Sequence, residues 1–255
     1  MHRFHFASES VTEGLVTLDR KESRHALTVL RLEAGEAVEL LDGKGGGFQG
    51  VVVDTKAGRV RVSLGQALRP AENALTTAVS LAVSVIKPER MELLIQKACE
   101  LGVASIFPMI SERTVVRLSR ERWEAKLGRW KKIAEESCKQ CGQSRTPEIH
   151  PVAEFKKLAA SLSQYNLVLI PTLSVPSKSL YHSLNSNINA KSVIILIGPE
   201  GDFSDTEARL ALSYGAEAVT LGDLIMRSET AALFTLSVAR FFYRQVVPGE
   251  LNKDI

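Results

Sequence analysis

Gly198-Pro199-Glu200-Gly201-Asp202-Phe203 and Gly222-Asp223-Leu224-Ile225-Met226-Arg227-Ser228-Glu229-Thr230 are the segments of this chain best suited to chemistry. Each follows an apolar, strand-like run, Ser192 to Ile197 and Glu217 to Leu221, and each leads into a helix, the first opened by Ser204-Asp205-Thr206-Glu207. In an open α/β sheet, ligands bind just outside the carboxyl ends of the strands. Two such loops so close in sequence imply one composite pocket. Gly198, Gly201 and Gly222 allow a ligand to approach the backbone closely, and Ile197, Leu221, Ile225 and Met226 offer apolar walls. The plainer alternative is that these glycines only make tight turns. No phosphate-loop lysine, metal cluster or dinucleotide fingerprint competes for the pocket. Arg113 and Arg117 directly follow another strand-like run, so they belong either to the same pocket rim or to a solvated surface.

Other reactive residues form no site. Cys138-Lys139-Gln140-Cys141 has redox-motif spacing, but it falls on the stripe Trp123, Leu127, Trp130, Ala134, Cys138, Cys141 of a long helix. Both thiols therefore read as small core hydrophobes. The histidines at 2, 5, 25, 150 and 182 are scattered, and no metal is expected. Gly45-Gly46-Gly47 is not followed by Lys-Ser or Lys-Thr and reads as a hairpin turn.

The elements that must position these residues change character along the chain. Residues 15–18, 37–42, 48–53 and 59–64 are short, alternating, β-branched segments divided by turn residues, with one helical pattern from Glu22 to Leu32 after Asp19. They predict a small β-barrel. Leu68 to Asn73 reads as a linker. Beyond it, strand and helix alternate: strand Val79–Ile86, helix from Pro88 to Leu101, strand Ala104–Ile110, helix from Ser119 to Gly142, and strands Leu167–Pro171, Val193–Ile197 and Ala218–Leu221. That alternation predicts a mainly parallel sheet with helices on both faces. Thr172 to Ala190 reads as a polar surface loop, and Thr230 to Val246 as a last helix apolar on more than one face.

Composition agrees with an ordinary globular protein: 255 residues, 45% apolar and 24% charged, with net charge +3. Three cysteines fit a reducing compartment. No apolar run reaches membrane-spanning length, and Met1-His2-Arg3-Phe4 opens no signal peptide. The expected location is the cytoplasm, with no membrane partner. His2, Arg3, His5, Arg24, His25, Arg31, Lys44, Arg59 and Arg61 are spread over the barrel segments. They form either a solvated surface or a groove that tracks a nucleic-acid backbone.

Several blocks carry a family resemblance: His2-Arg3-Phe4, Arg24-His25-Ala26-Leu27-Thr28-Val29-Leu30-Arg31, Lys97-Ala98-Cys99-Glu100-Leu101-Gly102-Val103, Ser111-Glu112-Arg113, Gln140-Cys141-Gly142-Gln143, Gly198-Pro199-Glu200-Gly201 and Arg227-Ser228-Glu229-Thr230-Ala231. In this order, over nearly the whole chain, they resemble the bacterial small-subunit ribosomal RNA methyltransferase E family, which makes N3-methyluridine. The resemblance implies a PUA-like RNA-binding barrel at 1–72 and a SPOUT-class α/β methyltransferase domain at 73–255, with a trefoil knot near its carboxyl end and a homodimeric assembly. It implies small-subunit ribosomal RNA, within the assembled subunit, as partner, with Arg3, Arg24, His25, Arg31, Arg113 and Arg117 as RNA contacts. It also implies S-adenosylmethionine as cofactor, held by Thr172, Ile197, Gly198, Pro199, Glu200, Gly201, Leu221, Gly222, Ile225 and Met226.

Some positions depart from that family. Leu224 stands where an arginine is usual, Asp202 where the first loop often has a second glycine, and Met226 and Ser228 replace leucine and threonine. Asp202 is read as a carboxylate favoured beside a helix start. Methylation at N3 requires the imide proton to leave, hence a base or an anion-stabilising cation. Arg227 is the expected cation. Glu229 and Glu200 are candidate proton acceptors, and Glu229 has a second reading as a first-turn carboxylate that orients Arg227. Two other functions stay open: a non-catalytic RNA-binding protein of this fold, and a methyltransferase acting on another RNA.

Overall fold

The computed structural model describes residues 1–69 and 77–246. The chain divides into two compact units, Met1–Ala74 with Glu135–Thr146, and Leu75–Ala134 with Pro147–Ile255. From position 70 onward the expected linker lies outside the described residues, as does the expected 72/73 boundary.

The first unit is built on β1 (His2–His5), β2 (Val11–Thr12), β3 (Leu15–Thr17), β4 (Ala37–Leu41), β5 (Gly47–Asp54) and β6 (Arg61–Arg69), in the sheet order β1-β4-β5-β6-β3-β2. β1 runs parallel to β4, and the other pairs are antiparallel. Phe4, Val16, Val38, Leu40, Val52 and Val62 supply its core. A helix was expected from Glu22 to Leu32. The chain instead forms α1 (Arg20–Arg24), capped by Asp19 accepting the Glu22 N–H at 2.7 Å, then a wider π-type turn over His25–Val29. Arg31, at φ +55°, ends it, and the Leu32 N–H returns to the Ala26 carbonyl. The wider turn lets Ala26 and Leu32 reach the same core.

The second unit contains β7 (Ala78–Ser84), α2 (Pro88–Glu100), β8 (Ser105–Ile110), α3 (Arg120–Cys141), β9 (Glu148–Ile149), β10 (Ala153–Glu154), α4 (Phe155–Ala159), β11 (Leu167–Pro171), β12 (Lys178–Ser179), α5 (Leu180–Ser186), β13 (Ser192–Ile197), α6 (Asp205–Ser213), β14 (Ala216–Thr220) and α7 (Ser228–Val246). The final turns of α3 are grouped with the first unit. The sheet order is β10-β8-β7-β13-β11-β14-β12, with β9 also paired to β8, and every described pair is parallel. Ile194, Leu196, Val168 and Ile170 pack with Phe155 and Leu158 of α4 and Ala208 and Ala211 of α6. The alternate residues Val193, Ile195 and Leu169 are equally buried, so both sheet faces are covered. α7 lies against β7, β13 and α2.

Two expectations are corrected. The segment 172–190 is not wholly loop: Ser179 accepts the His182 N–H as an N-cap, and Leu180 and Leu184, one turn apart, bury the inner face of α5. Cys141 does not belong to the core stripe of α3. Cys138 is buried, but Cys141, the last residue of α3, is exposed, with its thiol 3.7 Å from the Cys138 carbonyl. No group of ligands able to hold a metal occurs among the described residues, and no described helix is long and apolar enough to cross a membrane.

Candidate functional site

β13, β11 and β14 are adjacent and parallel, so their carboxyl ends at Ile197, Pro171 and Thr220 lie side by side. Because β13 inserts between β7 and β11, strands far apart in sequence become neighbours at this point. The loops leaving the three ends enclose a cavity of about 320 Å³, the size of a small-molecule site. Thr172, Ile197, Gly198, Pro199, Glu200, Gly201, Leu221, Gly222, Ile225 and Met226 all line it. Leu173, Asp202, Val219, Leu224 and Ala231 join them. Asp202, Leu224 and Ala231 belong to the segments already singled out, whereas no motif marks Leu173 and Val219, which arrive with the strand order.

The glycines are not equivalent. A Cβ on Gly198 would stand 3.0 Å from the Phe203 nitrogen, so any side chain there would push the loop backbone back by a few tenths of an ångström. Gly222 sits at φ +112°, a conformation that favours glycine. A Cβ on Gly201 would meet the Arg113 side chain at an ordinary 3.5 Å. Close packing of the protein against itself thus involves Gly198 and not Gly201.

The first loop is fastened from several sides. The Arg113 guanidinium donates to the Gly201 carbonyl at 2.7 Å and to that of Phe203 at 3.4 Å, whereas Arg117 does not touch this loop and donates to the Ser111 carbonyl at 3.4 Å. Glu207 closes a capping box with Ser204 and also accepts the Glu112 N–H at 2.8 Å. Asp202 lies two residues before Ser204, the N-cap of α6. Its carboxylate accepts the Thr172 hydroxyl at 2.9 Å, the Leu173 N–H at 2.8 Å and the Phe203 N–H at 2.7 Å.

Arg227 is exposed just before α7 and makes no ion pair among the described residues. Glu229 does not orient it. The Glu229 carboxylate lies 3.7 Å from Arg90 Nε, and Glu200 lies 3.7 Å from Arg90 Nη1. Arg90, in the first turn of α2, thus holds both candidate proton acceptors and was not marked by any motif. The second oxygen of Glu229 is buried without a hydrogen-bond partner. Among the residues lining the cavity, Glu200 and Asp202 are acidic and none is basic. That donor set favours a ligand carrying positive charge.

In the first unit, Arg24, His25 and Arg31 are exposed. Arg3 is exposed as well, and it has partners within the unit. Its guanidinium pairs with Glu39 at 2.9 Å and donates to the Gln140 carbonyl at 3.2 Å, packed so closely that a Cβ on Gly142 would be 2.9 Å away. Arg59 donates to the Leu18 carbonyl at 3.0 Å, and Arg61 pairs with Asp54.

The family described as RNA methyltransferase domain matches residues 73–240, and that described as RNA methyltransferase PUA domain matches residues 18–64. The ribosomal RNA small subunit methyltransferase E of Synechocystis sp. is 30% identical over 242 residues, covering 92% of this chain and 76% of the relative. That of Mesomycoplasma hyopneumoniae is 35% identical over 159 residues, covering 62% of this chain and 67% of the relative. The crystal structure of the Neisseria gonorrhoeae enzyme of the same name, bound to S-adenosyl methionine, superposes with a TM-score of 0.82 at 30% identity, covering 95% of this chain and 98% of that one.

Proposed function

Because the chain belongs to the ribosomal RNA small subunit methyltransferase E family, we propose that it methylates N3 of a specific uridine in small-subunit ribosomal RNA, with S-adenosylmethionine as cofactor. The observation that carries this reading is the cavity at the ends of β13, β11 and β14. Its residues fit the cofactor: Ile197, Leu221 and Met226 offer apolar walls, the tight turn at Gly198 brings backbone polar groups close, and the acidic lining suits a net positive charge. When bound, S-adenosylmethionine supplies a methyl group on a sulfonium.

The chain's own residues do the rest. The uridine imide proton leaves to a carboxylate, and Arg90 holds Glu200 and Glu229 as the two acceptors at hand. The free guanidinium of Arg227 stabilises the base anion that forms or grips the phosphate that places the base. Leu224, 79% exposed at the cavity mouth, leaves that task without the second arginine usual in the family.

The reading extends to the whole chain. Residues 1–72 form a PUA-like barrel in which Arg3, Arg24, His25 and Arg31 contact RNA. Residues 73–255 form a SPOUT domain whose chain threads a trefoil knot where the loops after β11, β13 and β14 meet. Phe234 and Phe241, exposed two turns apart on α7, are the natural seam of a homodimer. The enzyme works in the cytoplasm on the assembled small subunit. Incubating the purified protein with labelled S-adenosylmethionine and small subunits, then digesting the RNA, is expected to yield 3-methyluridine. No label in the small-subunit RNA, with label instead in transfer RNA offered in a parallel incubation or with none despite RNA binding, contradicts the assignment.

A further inference from the structure

We propose that Asp202 is a positioning residue that latches the loop after β11 to the loop after β13, fixing one wall of the cavity before any ligand arrives. The inference rests on reading that cavity as the S-adenosylmethionine site. Asp202 holds φ +61°, a left-handed conformation that a non-glycine residue keeps only where its surroundings hold it. Those surroundings are the two loops themselves. Oδ1 accepts the Phe203 N–H, at 2.7 Å, within its own loop. Oδ2 reaches across to accept the Thr172 hydroxyl at 2.9 Å and the Leu173 N–H at 2.8 Å. Ser174 adds a second tie: its hydroxyl donates to the Phe203 carbonyl at 3.0 Å, while its N–H donates to Thr172 Oγ1 at 3.2 Å.

The turn after β11 has few other anchors: Thr172 is buried at its start and Val175 packs partly against the sheet core at its end. Leu173 is 73% exposed, so apolar burial does not hold it. Thr172, Leu173, Gly201 and Asp202 all line the cavity, which makes the latch a bond between two of its walls. A carboxylate suits the task because it accepts all three donors and carries no hydrogen that would itself need a partner. Its charge also strengthens each bond. A wall ordered in advance spares the ordering cost that a ligand would otherwise meet on binding.

The test compares two variants of the full chain. Asp202→Gly keeps the left-handed backbone without strain and removes only the latch. Asp202→Asn tolerates the same backbone and retains one oxygen acceptor. We expect Asp202→Gly to weaken S-adenosylmethionine binding about tenfold by calorimetry, equivalent to about 1.4 kcal/mol. It should also speed hydrogen exchange at the Leu173 amide without ligand, while the melting temperature moves by only a few degrees. Asp202→Asn should fall between the two, a partial rescue. The latch is overturned if Asp202→Gly binds with wild-type affinity, or if its loss simply follows a large drop in melting temperature with faster exchange everywhere. A wild-type protein that takes up no S-adenosylmethionine overturns the reading of the cavity and this inference with it, and the wild-type titration tells the two failures apart.

Discussion

Arg227 and Glu229 are two residues apart, yet the structure separates their duties. Glu229 faces Arg90, while Arg227 has no counter-charge among the described residues and stays available to an anionic partner. Arg227→Ala should therefore keep S-adenosylmethionine affinity within a few-fold while methyl transfer falls about a hundredfold or more, the scale of losing one electrostatic stabiliser. Arg227→Lys should recover only part of the rate, because an ammonium cannot reproduce the guanidinium fork. Single-turnover rates at saturating RNA separate a chemical defect from weak RNA binding. Near-normal rates in Arg227→Ala would move the role to Arg117, whose guanidinium makes one long bond, 3.4 Å to the Ser111 carbonyl. Arg113 is a poorer substitute, since its guanidinium is occupied by the Gly201 and Phe203 carbonyls.

Among the elements, β1 carries a titration of its own. Burial, reinforced by Lys139 and offset in part by Asp42, lowers the His5 imidazole to about 4. Its Nε2 is buried without a partner, which suits the neutral ring. The unfolded chain takes up a proton near pH 6.5 and the folded chain only near 4, so the folded state is at full strength above that window and weakens as pH falls through it. Urea unfolding at pH 7 and pH 5 should show the wild type losing roughly 1–2 kcal/mol more than His5→Gln; equal losses would contradict this. β1 also marks a limit of sequence reading. Its one buried residue, Phe4, sits among polar neighbours, so no alternation announces a strand. α4 and α5 are too short for a helical period to stand out, whereas α2, with Pro88 in its first turn and Met91, Leu94, Ile95 and Ala98 on one buried face, was legible throughout.

For the whole molecule, the glycine-bearing loops could be read from sequence because strand, loop and helix follow one another locally. Arg90 and Asp202 could not, since their roles depend on strand order: β13 passes between β7 and β11, and α2 meets α7. Arg3 shows the converse. Its charge suggested an RNA contact, and only the fold reveals Glu39 and the Gln140 carbonyl as its partners. The central claim is that these parts together methylate N3 of one small-subunit uridine. Nucleoside mass spectrometry of ribosomal RNA from a strain lacking this chain tests it directly. A single 3-methyluridine should vanish from the small-subunit RNA, returning with the wild-type chain and largely failing to return with Arg227→Ala. An unchanged 3-methyluridine content in the deletion strain would contradict it.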